Sequence, residues 1–171
     1  MSILKRFILL LVVTFFCVGC DQVTKFVAKS ALAGTHAYSC WGDTVRLDMV
    51  YNAGAFLSLG SSLPEPWRQG IFTFGTGILV LGTLVYLFLC KPGHFSEVLA
   101  VSLFFAGGVG NLIDRIAYGG LVVDFINLGI GTLRTGIFNV ADVTITAGFL
   151  ILFLRTLNRK AKNPQPLGFL S

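Results

Sequence analysis

Three acidic residues stand in otherwise apolar stretches and are the first candidates for chemistry. They are Asp114, Asp124 and Asp142. Two carboxyl groups that share a site cannot both ionise easily, so one remains charged and acts as a base while the other remains protonated and acts as an acid. Such a pair can activate water against an amide carbonyl. The residues alone do not decide which two of the three would form the pair.

Other kinds of site have less support. The sequence has only two histidines, predicted on opposite sides of a membrane, and no H-E-x-x-H motif, so we expect no metal site. Its four cysteines are spread along the chain without a histidine base, which argues against a cysteine nucleophile and a disulfide framework. The basic residues are scattered and not interleaved with aromatics, so we expect no nucleic-acid partner. We also expect no cofactor.

The composition is that of an integral membrane protein. The 171 residues are 54% hydrophobic and 12% charged, and the mean hydropathy is +0.80; soluble proteins have about 25% charged residues. Four apolar segments, at about residues 7–28, 71–90, 98–117 and 137–157, approach the length that crosses a bilayer. We predict an all-α membrane protein of four transmembrane helices in a single domain, residues 1–171, with outer loops at 29–70 and 118–136. The partly alternating stretch 45–51 predicts a small β element on the outer face.

The positions of basic residues predict the orientation of these spans. Lys and Arg are enriched in cytoplasmic segments, and here they occur at the N-terminus, in the short second loop and in the tail. Both termini are therefore expected in the cytoplasm. The first and third spans then run outward and the fourth runs inward, which brings polar residues from three spans to a similar depth near the outer leaflet. They are Asp21, Lys25, Asn111, Asp114, Arg115, Asn139 and Asp142. Ionisable groups at such depth are costly and usually mark a site.

Residue spacing adds to this expectation. Asp21 and Lys25 are four residues apart in a helical segment and therefore share a face. Gly107, Gly108 and Gly110 give the third span a smooth patch that permits close backbone approach. The glycine patch could serve helix packing alone.

The start of the chain supports a different interpretation. F15-F-C-V-G-C20 follows Lys5 and Arg6 and resembles a lipoprotein signal peptide that is cut before Cys20. A lipoprotein would continue with a polar body, whereas this chain stays apolar to residue 154. We therefore expect the segment to be retained as the first span, with Asp21 and Lys25 in the site. A small polytopic transporter or channel subunit that uses the buried charges is the other alternative, although no inverted repeat is visible.

Five blocks of residues, in this order along the chain, resemble those of one known family. They are D21-Q-V-T-K25, N52-A-G-A55, G107-G-V-G-N-L-I-D-R115, V123-D-F125 and F138-N-V-A-D142. Each block alone is weak, but together with four spans they are similar to the lipoprotein signal peptidases, the signal peptidase II family of membrane aspartyl proteases. The resemblance covers about residues 20–146.

The resemblance implies an aspartic endopeptidase that removes signal peptides from prolipoproteins by cleaving on the amino side of a diacylglyceryl-modified cysteine. It implies a bacterial cytoplasmic (inner) membrane protein with its active site near the outer leaflet, with prolipoproteins and membrane lipid as partners; we expect a monomer. It also implies that Asp124 and Asp142 are the catalytic pair. The residues implied to line or brace the site are Asp21, Lys25, Asn52, Gly54, Asn111, Asp114, Arg115 and Asn139.

Two details of these blocks bear on what the resemblance implies. Asp114 directly precedes Arg115, and a neighbouring cation keeps an acid ionised, so we interpret Asp114 as an orienting partner. The family run is Asn-x-Gly-Ala-Ala-Phe-Ser, whereas here Phe56 directly follows Ala55. A shift of one residue moves a side chain to the other face of an extended segment. The family therefore does not indicate how Phe56 and Leu57 would meet the substrate.

Overall fold

The fold consists of four long helices and a small sheet in a computed structural model that describes residues 1–34, 37–54, 60, 62–90 and 92–162. The helices are α1 (Ile3–Leu32), α2 (Glu65–Leu89), α3 (Phe95–Ala117) and α4 (Val140–Lys162). The strands are β1 (Tyr38–Cys40), β2 (Val45–Asn52), β3 (Val122–Ile130) and β4 (Leu133–Arg134). The expectations for Ala55, Phe56 and Leu57 lie outside the described residues.

All four helices are long and apolar enough to cross a membrane. Each predicted span overlaps one of them, although α2 begins earlier than expected, at Glu65, and α4 begins later, at Val140. Large apolar side chains such as Phe15, Phe74 and Leu154 are exposed on the outer surface of the bundle, as expected for side chains in contact with lipid. The predicted fold class, a membrane protein of four helices with a small β element, is confirmed.

Helix α3 is at the centre of the bundle and packs against the three other helices. Many of its buried residues are small, including Ala100, Ala106 and Gly107. A Cβ atom at Gly107 would lie 2.6 Å from the main-chain oxygen of Ala141 in α4. The glycine patch predicted from the sequence therefore allows α3 and α4 to approach at backbone distance.

The four strands form one antiparallel sheet in the order β1-β2-β3-β4. Val45 pairs with Leu128 and Asn52 with Val122, and the register shifts between Leu47 and Val50. The sequence predicted strand structure around β2 but not β3. The first four residues of β3 are all buried, so they lack the alternation by which a half-exposed strand is recognised.

Chain order places the sheet at one end of the helices. Strands β1 and β2 lie between α1 and α2 in the chain, and strands β3 and β4 lie between α3 and α4. The last turns of α1 and α3 and the first turns of α2 and α4 therefore meet at the sheet. We call this the sheet end of the bundle. At the opposite end, the amino group of Met1 donates to the carbonyl of Gly93, and Arg155 of α4 pairs with Glu97 of α3 at 3.2 Å.

Candidate active site

The first turn of α4 is held by three side chains. Asn139 precedes the helix, and its Oδ1 accepts from the amide of Asp142 at 3.0 Å, while Asp142 Oδ2 accepts from the amide of Asn139 at 3.2 Å. Asp21 Oδ1, from α1, accepts from the amide of Ala141 at 2.8 Å. Together these contacts satisfy N–H groups that a helix start otherwise leaves unpaired, and they place carboxylates at the positive end of the helix dipole. The Asp142 side chain is therefore fixed at the start of α4.

Lys25 is the cation at the centre of the polar cluster. Its Nζ lies 2.8 Å from Asp21 Oδ2 and 2.9 Å from Asp114 Oδ2, and it donates to Asn111 Oδ1 at 3.1 Å. The Lys25 side chain is only 2% exposed. Burying a charge is tolerated only when partners replace its water, and here three acceptors from two helices do so. Asp21 and Lys25 thus share the face that their spacing indicates.

Two asparagines connect Lys25 to the candidate carboxyl groups. Because Lys25 can only donate, Asn111 turns Oδ1 toward it. Asn111 Nδ2 then donates to Asp142 Oδ1 at 2.9 Å. Asn139 Nδ2 donates to Asn111 Oδ1 at 3.1 Å and to Asp124 Oδ1 at 2.6 Å. Asp124 and Asp142 are therefore joined through a bridge of two side-chain amides.

Asp124 lies in β3 opposite Val50 of β2 and is almost fully buried. Its Oδ2 accepts from Asn52 Nδ2 at 2.9 Å. Burial, and after it the neighbouring charge of Asp142, raises the pKa of Asp124 to about 7, and the hydrogen bonds from Asn52 and Asn139 only partly oppose this shift. Both protonation states of Asp124 are therefore accessible at neutral pH, as acid–base chemistry requires.

Asp114 and Arg115 brace the site from the end of α3. Asp114 Oδ2 accepts from the amide of Val123 at 2.9 Å, which ties β3 to the helix. The ion pair of Asp114 is formed by Lys25, not by the Arg115 that follows it in sequence, because adjacent helical residues point in different directions. Arg115 instead donates to the main-chain carbonyl of Gly54 at 2.9 Å. The interpretation of Asp114 as an orienting partner stays a prediction, and the cation in direct contact with Asp114 is Lys25.

Gln22 belongs to the cluster but was not among the predicted site residues. Its Nε2 lies within 3.2 Å of Asp21 Oδ2, Asp114 Oδ1 and the main-chain oxygen of Gly110. A Cβ at Gly110 would lie 2.8 Å from Asp21 Oδ2, so this position has no room for a side chain. The signal for Gln22 was its place between Asp21 and Lys25 in the first block, although helical spacing does not put it on their face.

A cavity of about 1010 Å³ opens beside this cluster, between α2, α3, α4 and the sheet. Six of the predicted site residues line it: Asn52, Gly54, Asn111, Arg115, Asp124 and Asp142. Of the remaining four, Lys25 and Asn139 bind the lining residues Asn111 and Asp124. Asp21 and Asp114 both pair with Lys25, and they accept from the amides of Ala141 and Val123. Apolar side chains of α2 and α4, including Leu79, Val80, Ile145 and Leu150, form the other part of the wall. The cavity therefore offers carboxyl groups to one part of an occupant and hydrocarbon to another.

Comparisons with known proteins show which family the chain resembles. A family model described as signal peptidase (SPase) II matches residues 13–158. The chain is 37% identical over 136 residues to the lipoprotein signal peptidase of Hydrogenovibrio crunogenus, covering 78% of this chain and 76% of that protein. The identity to the lipoprotein signal peptidase of Staphylococcus carnosus is 36% over 145 residues, covering 83% and 87%.

Similarity at the level of structure covers nearly the whole chain. A solved structure described as a bacterial membrane enzyme superposes with a TM-score of 0.77 at 25% identity, over 94% of each chain. A second structure with the same description gives a TM-score of 0.73 at 26% identity, over 86% of this chain and 92% of the other. With a family model that matches most of its length, the chain belongs to the signal peptidase II family of aspartic peptidases.

Proposed function

We propose that this peptidase cleaves prolipoproteins on the amino side of a diacylglyceryl-modified cysteine and that Asp124 and Asp142 are its catalytic pair. One observation carries the assignment of the pair: both carboxyl groups line the same cavity, and two amides connect them. Asp114, the third acidic candidate, is ion-paired with Lys25 behind the cavity wall. That arrangement supports an orienting role for Asp114.

The mechanism needs one proton shared between two carboxyl groups. The ionised carboxylate takes a proton from water, which attacks the carbonyl carbon of the scissile amide, while the protonated carboxyl donates to the carbonyl oxygen. Collapse of the tetrahedral intermediate returns a proton to the departing amine, and the pair again holds one proton. A pKa of about 7 for Asp124 fits this cycle, because neither protonation state is then costly near neutral pH.

The surrounding residues hold the pair in place. Asn111 and Asn139 donate to one carboxyl group each, and Lys25 fixes the direction of Asn111. Asn52 donates to the other oxygen of Asp124. Rigidly placed donors keep both carboxyl groups oriented toward the cavity, which favours the geometry of attack.

The test of the catalytic pair compares isosteric variants. Asp124→Asn and Asp142→Asn should each lower cleavage of a lipidated precursor by at least about 100-fold, because an amide cannot transfer the proton. Cleavage is read as a gel shift over time, and the melting temperature in detergent reports folding. Asp48→Asn, in β2, is the matched control and should keep normal turnover. Near-normal turnover in either of the first two variants would refute the assignment.

The lipid of the substrate is proposed to act by positioning. The apolar part of the cavity suits hydrocarbon, and acyl chains in the bilayer would hold the scissile bond near the carboxyl groups. A precursor with an unmodified cysteine should therefore be cut far more slowly than the diacylglyceryl form in the same detergent. Equal time courses for the two precursors would mean that lipid is not a recognition element.

The proposed orientation puts the sheet end at the outer leaflet of a bacterial cytoplasmic membrane and both termini in the cytoplasm. Its support is the distribution of basic residues, because Lys5, Arg6, Arg155 and Arg159 all belong to the end opposite the sheet. In this orientation the cavity is close to where a lipid-anchored cysteine leaves the bilayer.

A further inference from the structure

Arg134, in β4, lies in the wall of the cavity but is not part of any of the five sequence blocks. Its Nε donates to Asn127 Oδ1 of β3 at 2.5 Å. Its Nη1 donates to the main-chain oxygen of Asp43 at 2.8 Å and lies 3.4 Å from the carboxylate of the same residue. Anchors on both sides thus fix the plane of the guanidinium group.

Among the described residues, the third nitrogen of Arg134 has no acceptor. Its Nη2 is buried and makes no hydrogen bond within the part of the chain that the structure describes. Buried donors without partners are rare, because each loses its water without replacement, and the loss is larger for a charged group. Since Arg134 lines the cavity, an occupant that displaces the atoms now covering Nη2 can supply the missing acceptor.

The distance from the carboxyl pair limits which part of a substrate could do this. Asn127, which binds the guanidinium group, follows Asp124 in β3 by about 10 Å at the usual rise of a strand. This corresponds to about three residues of extended peptide. Arg134 itself belongs to β4 of the sheet, whereas the apolar wall of the cavity is formed by α2 and α4. In the proposed orientation the sheet is at the outer leaflet, where the part of the substrate beyond the scissile bond would leave the cavity.

We propose that Nη2 of Arg134 binds a carbonyl oxygen of the substrate on the carboxyl side of the scissile bond. This inference rests on the proposed function. Asp43 already lies against the guanidinium group, so a neutral acceptor suffices. The carbonyl belongs either to the main chain just after the lipidated cysteine or to an ester of its diacylglyceryl group. Arg134 is then a substrate-binding residue that acts on affinity more than on the chemical step.

The first experiment compares two arginines that share a partner. Arg46 donates to both carboxylate oxygens of Asp43, at 2.6 and 2.5 Å, but is not among the residues that line the cavity. Arg134→Gln should raise KM by about tenfold or more, the effect expected when a hydrogen bond to a charged group is lost, with little change in kcat. Arg46→Gln should leave KM unchanged. An equal rise of KM in both variants would show that Arg134 acts only by holding the turn at Asp43. An unchanged KM in Arg134→Gln would also overturn the proposal.

Altered substrates identify the source of the carbonyl. One precursor ends directly after the lipidated cysteine, and the other carries ether-linked in place of ester-linked chains. The altered precursor that lacks the acceptor of Arg134 should have a higher KM with the wild-type enzyme. It should cause no further rise in KM with Arg134→Gln, because the effects of removing two interacting groups do not add. Full additivity of both changes would refute the contact. If Arg134→Gln does not fold, the same comparison with Arg134→Lys, which cannot keep all three donors of the fork, decides the question.

A separate control keeps the two proposals distinct. Wild-type enzyme must cleave the lipidated precursor in this assay, and Asp124→Asn must not. Activity in Asp124→Asn would refute the catalytic pair whatever Arg134 does. Loss of cleavage in Asp124→Asn, together with an unchanged KM in Arg134→Gln, would refute only the substrate contact.

Discussion

Lys25 sets the direction of every hydrogen bond between the two carboxyl groups. An ammonium group has donors only, so the Asn111 oxygen that faces it cannot be exchanged with the nitrogen. That nitrogen must then donate to Asp142, and Asn139 must donate to Asp124. Both carboxyl groups therefore receive donors from the protein, which partly offsets the cost of burying them.

The hydrogen bond from Asn52 to Asp124 leads to a prediction about pH. A donor to a carboxylate favours its charged form, so Asn52→Ala should raise the pKa of Asp124 above its value of about 7. If cleavage requires the shared proton, kcat/KM of the wild type should fall as pH rises through about 7. In Asn52→Ala the same fall should occur at higher pH, by about one unit if the lost bond resembles others to charged groups. The measurement is kcat/KM from pH 5 to 9.

Ser39→Ala provides the matched control for this shift. Ser39 donates to Asp43 in the outer part of the sheet and, among the described residues, makes no hydrogen bond with the carboxyl pair. The fall of kcat/KM at high pH in Ser39→Ala should coincide with that of the wild type. If kcat/KM of Asn52→Ala falls at a lower pH than that of the wild type, the Asn52 contact does not stabilise the charged form of Asp124.

Sequence reasoning predicted part of this site for identifiable reasons. Helical spacing was sufficient for Asp21 and Lys25, and span orientation brought residues of three helices to one depth. The choice of Asp124 over Asp114 depended on the family resemblance, because charge alone treats the two alike. Arg134 and Gln22 were missed. The position of Arg134 depends on the register of β3 with β4, and that of Gln22 on how closely α1 approaches α3; local sequence patterns specify neither.

At the scale of elements, β3 connects the sheet to the helices. Ile126 of β3 forms an isolated bridge with Phe138, just before α4, and Asp114 of α3 binds the amide of Val123. The strand thus fixes the start of α4 relative to the end of α3. This explains why a carboxyl group on a strand and another on a helix share one cavity.

The close contact of α3 with α4 can be tested at Gly107. A Cβ there would lie 2.6 Å from both the Ala141 oxygen and Ile145 Cγ1, so Gly107→Ala should destabilise the protein by about 1–3 kcal/mol, as overpacking does. Gly77→Ala in α2, where nothing lies within 4 Å of the added atom, should be neutral or stabilising by up to about 1 kcal/mol. Melting temperatures in detergent measure both. Equal melting temperatures for the two variants would contradict the tight contact.

At the scale of the whole molecule, the two ends of the bundle differ in content. The sheet end holds the carboxyl pair and the cavity, whereas the opposite end holds a cluster of aliphatic residues, including Leu87 and Val98, and the pair of Glu97 with Arg155. We therefore expect the end without the site to contribute more to the stability of the fold, while the sheet end accommodates the buried polar groups of the site.

Two native cysteines report which end faces outward. Cys40 is in the sheet and Cys90 ends α2 at the opposite end. In intact spheroplasts, a membrane-impermeant maleimide should label wild type and Cys90→Ser but not Cys40→Ser, because only Cys40 would be outside. Labelling of Cys90 alone would invert the proposed orientation.

Helix length fixes the depth at which the reaction would occur. At 1.5 Å per residue, α3 rises about 24 Å from Phe95 to Asn111, and α4 about 26 Å between Asp142 and Arg159. A hydrocarbon core is about 30 Å thick, so the carboxyl groups would lie just inside its far boundary. Water for hydrolysis would then arrive from one leaflet across only a few ångströms. A peptide bond held deeper in the bilayer could not reach the carboxyl groups, so the length of the helices would select the cleaved bond by its depth.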